Sequence, residues 1–141
     1  GDLFVVLFFG LVAVEGTNCF LSSANSVPYE MHLGSAISIG LLINNLLVVN
    51  NYRDYESDLK VGKNTTVVMF GKKFGALLYL VGFLFPVFHG YYEKKILVVL
   101  ILTTSAISFI FLLKSHLLKN ANRALSFSAL SVLIYSVCWM L

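Results

Sequence analysis

The chain has 141 residues, 58% of them apolar and only 12% charged, with a formal net charge of +3 and a mean hydropathy of +0.85. A soluble domain averages about half apolar and a quarter charged, so these values exclude one and indicate a single membrane domain over residues 1–141. A modest charge and two isolated cysteines, Cys19 and Cys138, likewise leave no basis for a nucleic-acid surface, a disulfide framework or a CxxC metal site.

Five apolar runs are long enough, at about 1.5 Å per residue, to approach or cross a hydrocarbon core of roughly 30 Å. The first is Leu3 to Leu21, interrupted by Glu15-Gly16-Thr17-Asn18. The second, Leu33 to Val49, follows a polar turn from Ser22 to His32. The third, Phe74 to Phe88, has Pro86 near its end, and its start could extend into Val67–Phe70. A tight connection with Tyr91 and Tyr92 placed as interfacial anchors leads to the fourth, Ile96 to Leu113. The fifth, Leu125 to Leu141, follows a loop carrying Lys114, Lys119 and Arg123. The fold class expected is therefore all-α, a polytopic transmembrane helix bundle of about five spans. The chain has no starting Met and no signal-peptide pattern, and it reads as beginning within a longer protein.

Eight of the ten basic residues fall in the connections after the second and fourth runs, against Lys94 and Lys95 alone on the other side. Positive-inside logic puts the first group on the cytoplasmic face and the C-terminus outside. The expected location is a bacterial inner membrane.

Charge is concentrated between residues 50 and 66. Asp54, Glu56 and Asp58 are three of the seven acids, and Arg53, Lys60 and Lys63 lie among them. Were the second helix to continue through this stretch, Asn44, Asn50, Asn51, Asp54 and Asp58 would share an arc of roughly 120°, with Arg53, Glu56 and Lys60 opposite. Two carboxylates one turn apart repel each other and are costly near a bilayer unless a cation joins them. Mg²⁺ suits one or two carboxylates together with water and substrate phosphate oxygens. Asp54 and Asp58 are thus the expected metal ligands and catalytic pair. Asn50 and Asn51 would orient water or phosphate, and Arg53 and Lys63 would offset phosphate charge. An acidic pair at this spacing is by itself more often a solvated helix end, but intramembrane amides beside it favour function.

Other features read blandly. His32, His89 and His116 are far apart in sequence with no carboxylate at ligand spacing. Gly71-Lys72-Lys73-Phe74-Gly75 has the GxxxG spacing, yet its lysines fit a loop exit better than a helix seam. Glu15 is either a proton or cation site or an interfacial residue.

The run Asn50-Asn51-x-Arg53-Asp54-x-x-x-Asp58-x-x-x-Gly62-Lys63-x-Thr65 resembles the second aspartate-rich motif of the UbiA superfamily of intramembrane prenyltransferases. The paired Asn and the Asn-Asn-x-Arg-Asp form look most like the 1,4-dihydroxy-2-naphthoate branch of menaquinone biosynthesis. The preceding Leu3 to Gly10 and Gly16-Thr17 are similar to that branch as well. The resemblance implies Mg²⁺ held on a polyprenyl diphosphate, ionisation to an allylic cation, and capture by an aromatic acceptor. It implies that Asp54 and Asp58 are ligands to that metal. Asn64, Thr66 and Met69 stand where the related pattern has a basic residue, Leu and Arg. The family's first aspartate-rich motif has no counterpart here, so an N-terminal half is the expected partner and the isolated piece is expected to be inactive. Two alternatives stay open: a non-enzymatic transporter or assembly protein, and a prenyltransferase for another aromatic acceptor.

Overall fold

The computed structural model describes residues 1–95, 97–114 and 118–140, and among these all regular structure is helical. Seven helices follow in order: α1 Asp2–Ala24, α2 Leu33–Arg53, α3 Tyr55–Lys60, α4 Thr66–Phe70, α5 Lys72–Tyr92, α6 Val98–Leu113 and α7 Leu118–Met140. Four of these, α1, α2, α5 and α7, are long and apolar enough to cross a membrane. The fourth of the five expected spans, α6, is apolar but has 16 residues, about 24 Å of helix. The chain is an all-α membrane bundle.

The polar residues Glu15 to Asn18, which interrupt the first apolar run, do not break the helix, which runs from Asp2 to Ala24. The connection that follows folds back over them. The Tyr29 hydroxyl donates to Glu15 Oε2 at 2.6 Å and the His32 backbone N–H to Glu15 Oε1 at 2.9 Å. The Asn18 amide donates to the Glu30 carbonyl at 2.6 Å. With both carboxylate oxygens hydrogen-bonded, Glu15 sits inside α1 without disrupting it.

Helix α1 widens into a π-helical segment over Val6–Val12, where it meets α2. A Cβ at Gly10 would lie 2.5 Å from the Ala36 carbonyl oxygen, and one at Gly40 would lie 2.8 Å from the Val6 carbonyl oxygen. The two backbones approach closely only because both positions lack side chains, the small-residue contact that favours helix association in lipid.

Helix α2 runs through the middle, packed on α1, α5 and α7. Its Leu42, Val48 and Val49 join Tyr79 and Phe83 of α5, Ile101 and Leu112 of α6, and Ala124 and Tyr135 of α7 in one buried cluster. Helix α5 continues past Pro86 to Tyr92. Proline removes one helix hydrogen bond, and the carbonyl its ring would crowd belongs to Gly82, which presents no side chain of its own.

Helix α7 starts at Leu118, earlier than the expected Leu125. Ala121 and Ala124 are fully buried at its start, and the Asn120 amide caps the Lys114 carbonyl at 2.9 Å. Hydroxyls hold the α6–α7 pair together. Ser131 bonds Thr104 at 2.9 Å and Ser105 at 3.0 Å. Ser128 bonds Ser108 at 2.8 Å and the α5 residue Tyr79 at 2.8 Å.

Candidate functional site

The polar stretch forms where α2 leaves the bundle. Asp54 ends the helix at φ −89°, ψ 6°, while its backbone N–H still reaches the Asn50 carbonyl at 2.9 Å. Its own carbonyl accepts the Asp58 N–H at 2.8 Å and the Ser57 hydroxyl at 2.8 Å, which starts α3. Asp54 and Asp58 are thus one turn apart as expected. Asp54 sits at the bend between the two helices, however, and Asp58 in α3, so the pair is not carried on one continuous α2. The bend sets the stripe's limit: Asn44 and Asn51 are buried within α2 at 2% and 6% exposure, and Asn50 is half-buried beside them.

Each carboxylate carries its own cation. Arg53 grips Asp54 with a two-pronged fork, Nε to Oδ1 at 2.7 Å and Nη2 to Oδ2 at 2.9 Å. Arg53, expected opposite the carboxylates, instead pairs with its neighbour Asp54. The fork holds the Asp54 carboxyl below the usual carboxylate range, against a smaller opposing effect of partial burial. Asp58 is 7% exposed. Lys63 returns to it at 3.2 and 3.3 Å, across a turn in which Gly62 takes φ +69°, a conformation that favours glycine.

The rest of the connection, expected as loop, contains α3 and α4. Thr65 caps α4 by accepting the Val68 N–H at 3.2 Å, the usual role of a threonine there. The Thr66 hydroxyl donates to Asp2 Oδ2, tying the loop to the start of α1. Lys72 lies 4.9 Å from the Tyr55 ring and 5.7 Å from the Tyr52 ring, and 3.5 Å from Glu56. Lys60 is exposed on α3.

Sequence reasoning missed Asp2, 64 residues from its partner, and Asn45. The Asn45 amide donates to the Tyr79 carbonyl at 3.2 Å, and a Cβ at Gly82 would run into Asn45 Oδ1. The available signal was an amide beside Asn44 inside an apolar run. Among the described residues no group of three or more His, Cys, Asp or Glu forms a metal-binding cluster.

At the opposite end, His32 and His89 line one cavity of about 170 Å³ together with Glu93 and Trp139, although nothing in their spacing brings them together. His116 lies outside the described residues.

The model of the UbiA prenyltransferase family matches residues 1–137. The chain is 44% identical over 71 residues to a 1,4-dihydroxy-2-naphthoate octaprenyltransferase of Haemophilus influenzae, covering 50% of this chain and 22% of that protein. It is 39% identical over 72 residues to the Escherichia coli protein of the same name, covering 51% and 22%. For the Mycobacterium tuberculosis protein of that name the values are 38% over 79 residues, covering 56% and 26%. The chain thus matches about a quarter of the length of these relatives. No solved structure matches.

Proposed function

The chain belongs to the UbiA prenyltransferase family, and on that premise we propose that it supplies half of the metal–diphosphate site of an enzyme that transfers a polyprenyl group to 1,4-dihydroxy-2-naphthoate in menaquinone biosynthesis. The names of the relatives support the donor and the acceptor. One observation carries the assignment of residues. Asp54 and Asp58 stand one turn apart at the mouth of the bundle, and Asp58 is nearly buried with a single lysine for balance.

The donor set fits Mg²⁺. It offers two hard carboxylates at one-turn spacing, few enough to leave positions for water and diphosphate oxygens. When bound there, the ion stabilises the charge that builds on the departing diphosphate. Asp54 and Asp58 would hold it. Arg53 and Lys63 already rest on these carboxylates and offset the charge of a diphosphate beside them. Asn50 and Asn51 orient its oxygens or bound water through their amides.

The allylic C–O bond breaks with its electron pair going to diphosphate. The electron-rich ring then forms the new C–C bond, and the acceptor's carboxylate leaves as CO₂. The apolar walls of the bundle keep water from the allylic cation. The remaining metal ligands come from an N-terminal half carrying the other aspartate-rich motif, and this piece alone is inactive. The Asp54–Asp58 end faces the cytoplasm.

The test is prenyl transfer by the full-length protein in membranes, with octaprenyl diphosphate and 1,4-dihydroxy-2-naphthoate, with and without Mg²⁺. Metal-dependent formation of the prenylated, decarboxylated product supports the reading. Product formation that persists in chelator, or in D54N and D58N, counts against it.

A further inference from the structure

We propose that the turn between α5 and α6, at the end of the bundle remote from Asp54 and Asp58, is a binding site for one anionic phospholipid, its phosphate held by Lys94 and Lys95 and an acyl chain lying between the two helices. Two adjoining cavities make the site. The first, about 470 Å³, is an apolar groove between Leu84 and Phe88 of α5 and Val99 and Leu102 of α6. The second, about 530 Å³, lies at the turn, where Tyr92, Lys94 and Lys95 line it. Tyr91 and Val98 line both, so the two form one trough, apolar along the helices and cationic at its mouth.

Charge argues for an anionic occupant. Eight of the ten Lys and Arg residues belong to the other side of the bundle, the asymmetry expected of membrane helices. Lys94 and Lys95 are the exceptions, and they are adjacent. The neighbouring acid, Glu93, lines the separate His32–His89 cavity, so it does not line the trough. Lys95 lines the trough although its ammonium also lies 4.7 Å from the ring of Trp139, a residue of the His32–His89 cavity, and Tyr91 and Tyr92 are exposed, as aromatic residues at a headgroup boundary are. Lys94 takes φ +56°, just past the end of α5, where glycine is the easier residue. A lysine there accepts an unfavourable backbone conformation and puts a second charge at the mouth.

Native mass spectrometry of the full-length protein, equilibrated with equal amounts of dioleoyl phosphatidylglycerol and dioleoyl phosphatidylcholine, tests this. The wild type is expected to retain one phosphatidylglycerol in preference to phosphatidylcholine by roughly thirtyfold, the scale of two lysines acting on one anionic headgroup. The K94G/K95Q variant should lose that preference, and glycine suits the backbone at position 94, so the turn itself is preserved. V99W, which fills the groove, should lower retention of phosphatidylglycerol. Equal retention of the two lipids by the wild type overturns the site, as does an undiminished preference in K94G/K95Q. Unchanged retention in V99W overturns the placement of the chain.

Discussion

Lys63 reaches back over the Gly62 turn and places its ammonium 3.2 Å from a carboxylate oxygen of Asp58. The two side chains differ sharply in exposure, 58% for Lys63 and 10% for Asp58. The lysine is therefore the solvent-facing half of a pair whose other half is nearly buried.

Loss of that lysine leaves Asp58 without its balance. K63M is expected to destabilise the protein by about 1–2 kcal/mol, less than for a fully buried pair because Lys63 is wet. Adding D58N should recover much of the loss, since the uncompensated charge is then gone. Thermal unfolding of the two single variants and the double variant measures this coupling. Strictly additive losses would mean that the pair contributes nothing as a pair.

Asp54 makes stability depend on pH in a defined direction. Its folded pKa lies below the ordinary aspartate value because Arg53 donates to it. The contribution of the fork is therefore complete above the ordinary value near 3.9, and it is lost as pH falls through the lower folded value. Between pH 6 and 3, the melting temperature of D54N should fall less steeply in the acid part of the range than that of the wild type. Parallel curves would show that the fork is not the group titrating.

The contact between α1 and α2 predicts opposite signs for substitutions at a glycine inside it and at one outside it. G40A drives a methyl to 2.8 Å from the Val6 carbonyl oxygen and should cost about 1–3 kcal/mol, the range for overpacking. Gly16 lies in α1, the helix against which Gly40 of α2 packs, but with open space around it, so G16A should be neutral or stabilising by up to about 1 kcal/mol through helix propensity. Melting temperatures of the two variants in one detergent decide. Equal effects would mean that α1 does not dock tightly through Gly10 and Gly40.

How much of this was legible beforehand differs between parts of the molecule. The apolar runs located the helices well, because apolar length is what a bilayer selects. Their ends were less legible. Glu15 could stay in a helix because Tyr29 and His32 satisfy it, and α7 could start at Leu118 because two alanines pack there. Both facts depend on contacts absent from local sequence. At the site, the Asp54–Asp58 spacing followed from the motif. The bend at Asp54 did not, since neither glycine nor proline marks it, and the contacts found there, the Ser57 hydroxyl on the Asp54 carbonyl and the Arg53 fork, are side-chain details no pattern announces. Asp2 was invisible for the same reason: only the fold brings it to Thr66.

The carboxylate pair itself is open to direct test. Asparagine keeps the volume and polarity of aspartate and removes the charge a divalent cation needs, so D54N and D58N leave the helix ends intact while weakening any metal held there. In the full-length protein, Mg²⁺ with inorganic pyrophosphate should raise the wild-type melting temperature, and neither variant should respond. Prenyl transfer should fall on the order of a hundredfold or more in each variant, the scale seen when one electrostatic contact to a transition state is removed. The two readouts separate two failures. A variant that still binds Mg²⁺–pyrophosphate but no longer transfers would make the aspartates positioning groups for the acceptor. A variant that keeps both would move the metal site elsewhere in the protein and leave Asp54 and Asp58 as the ion-paired end of a helix.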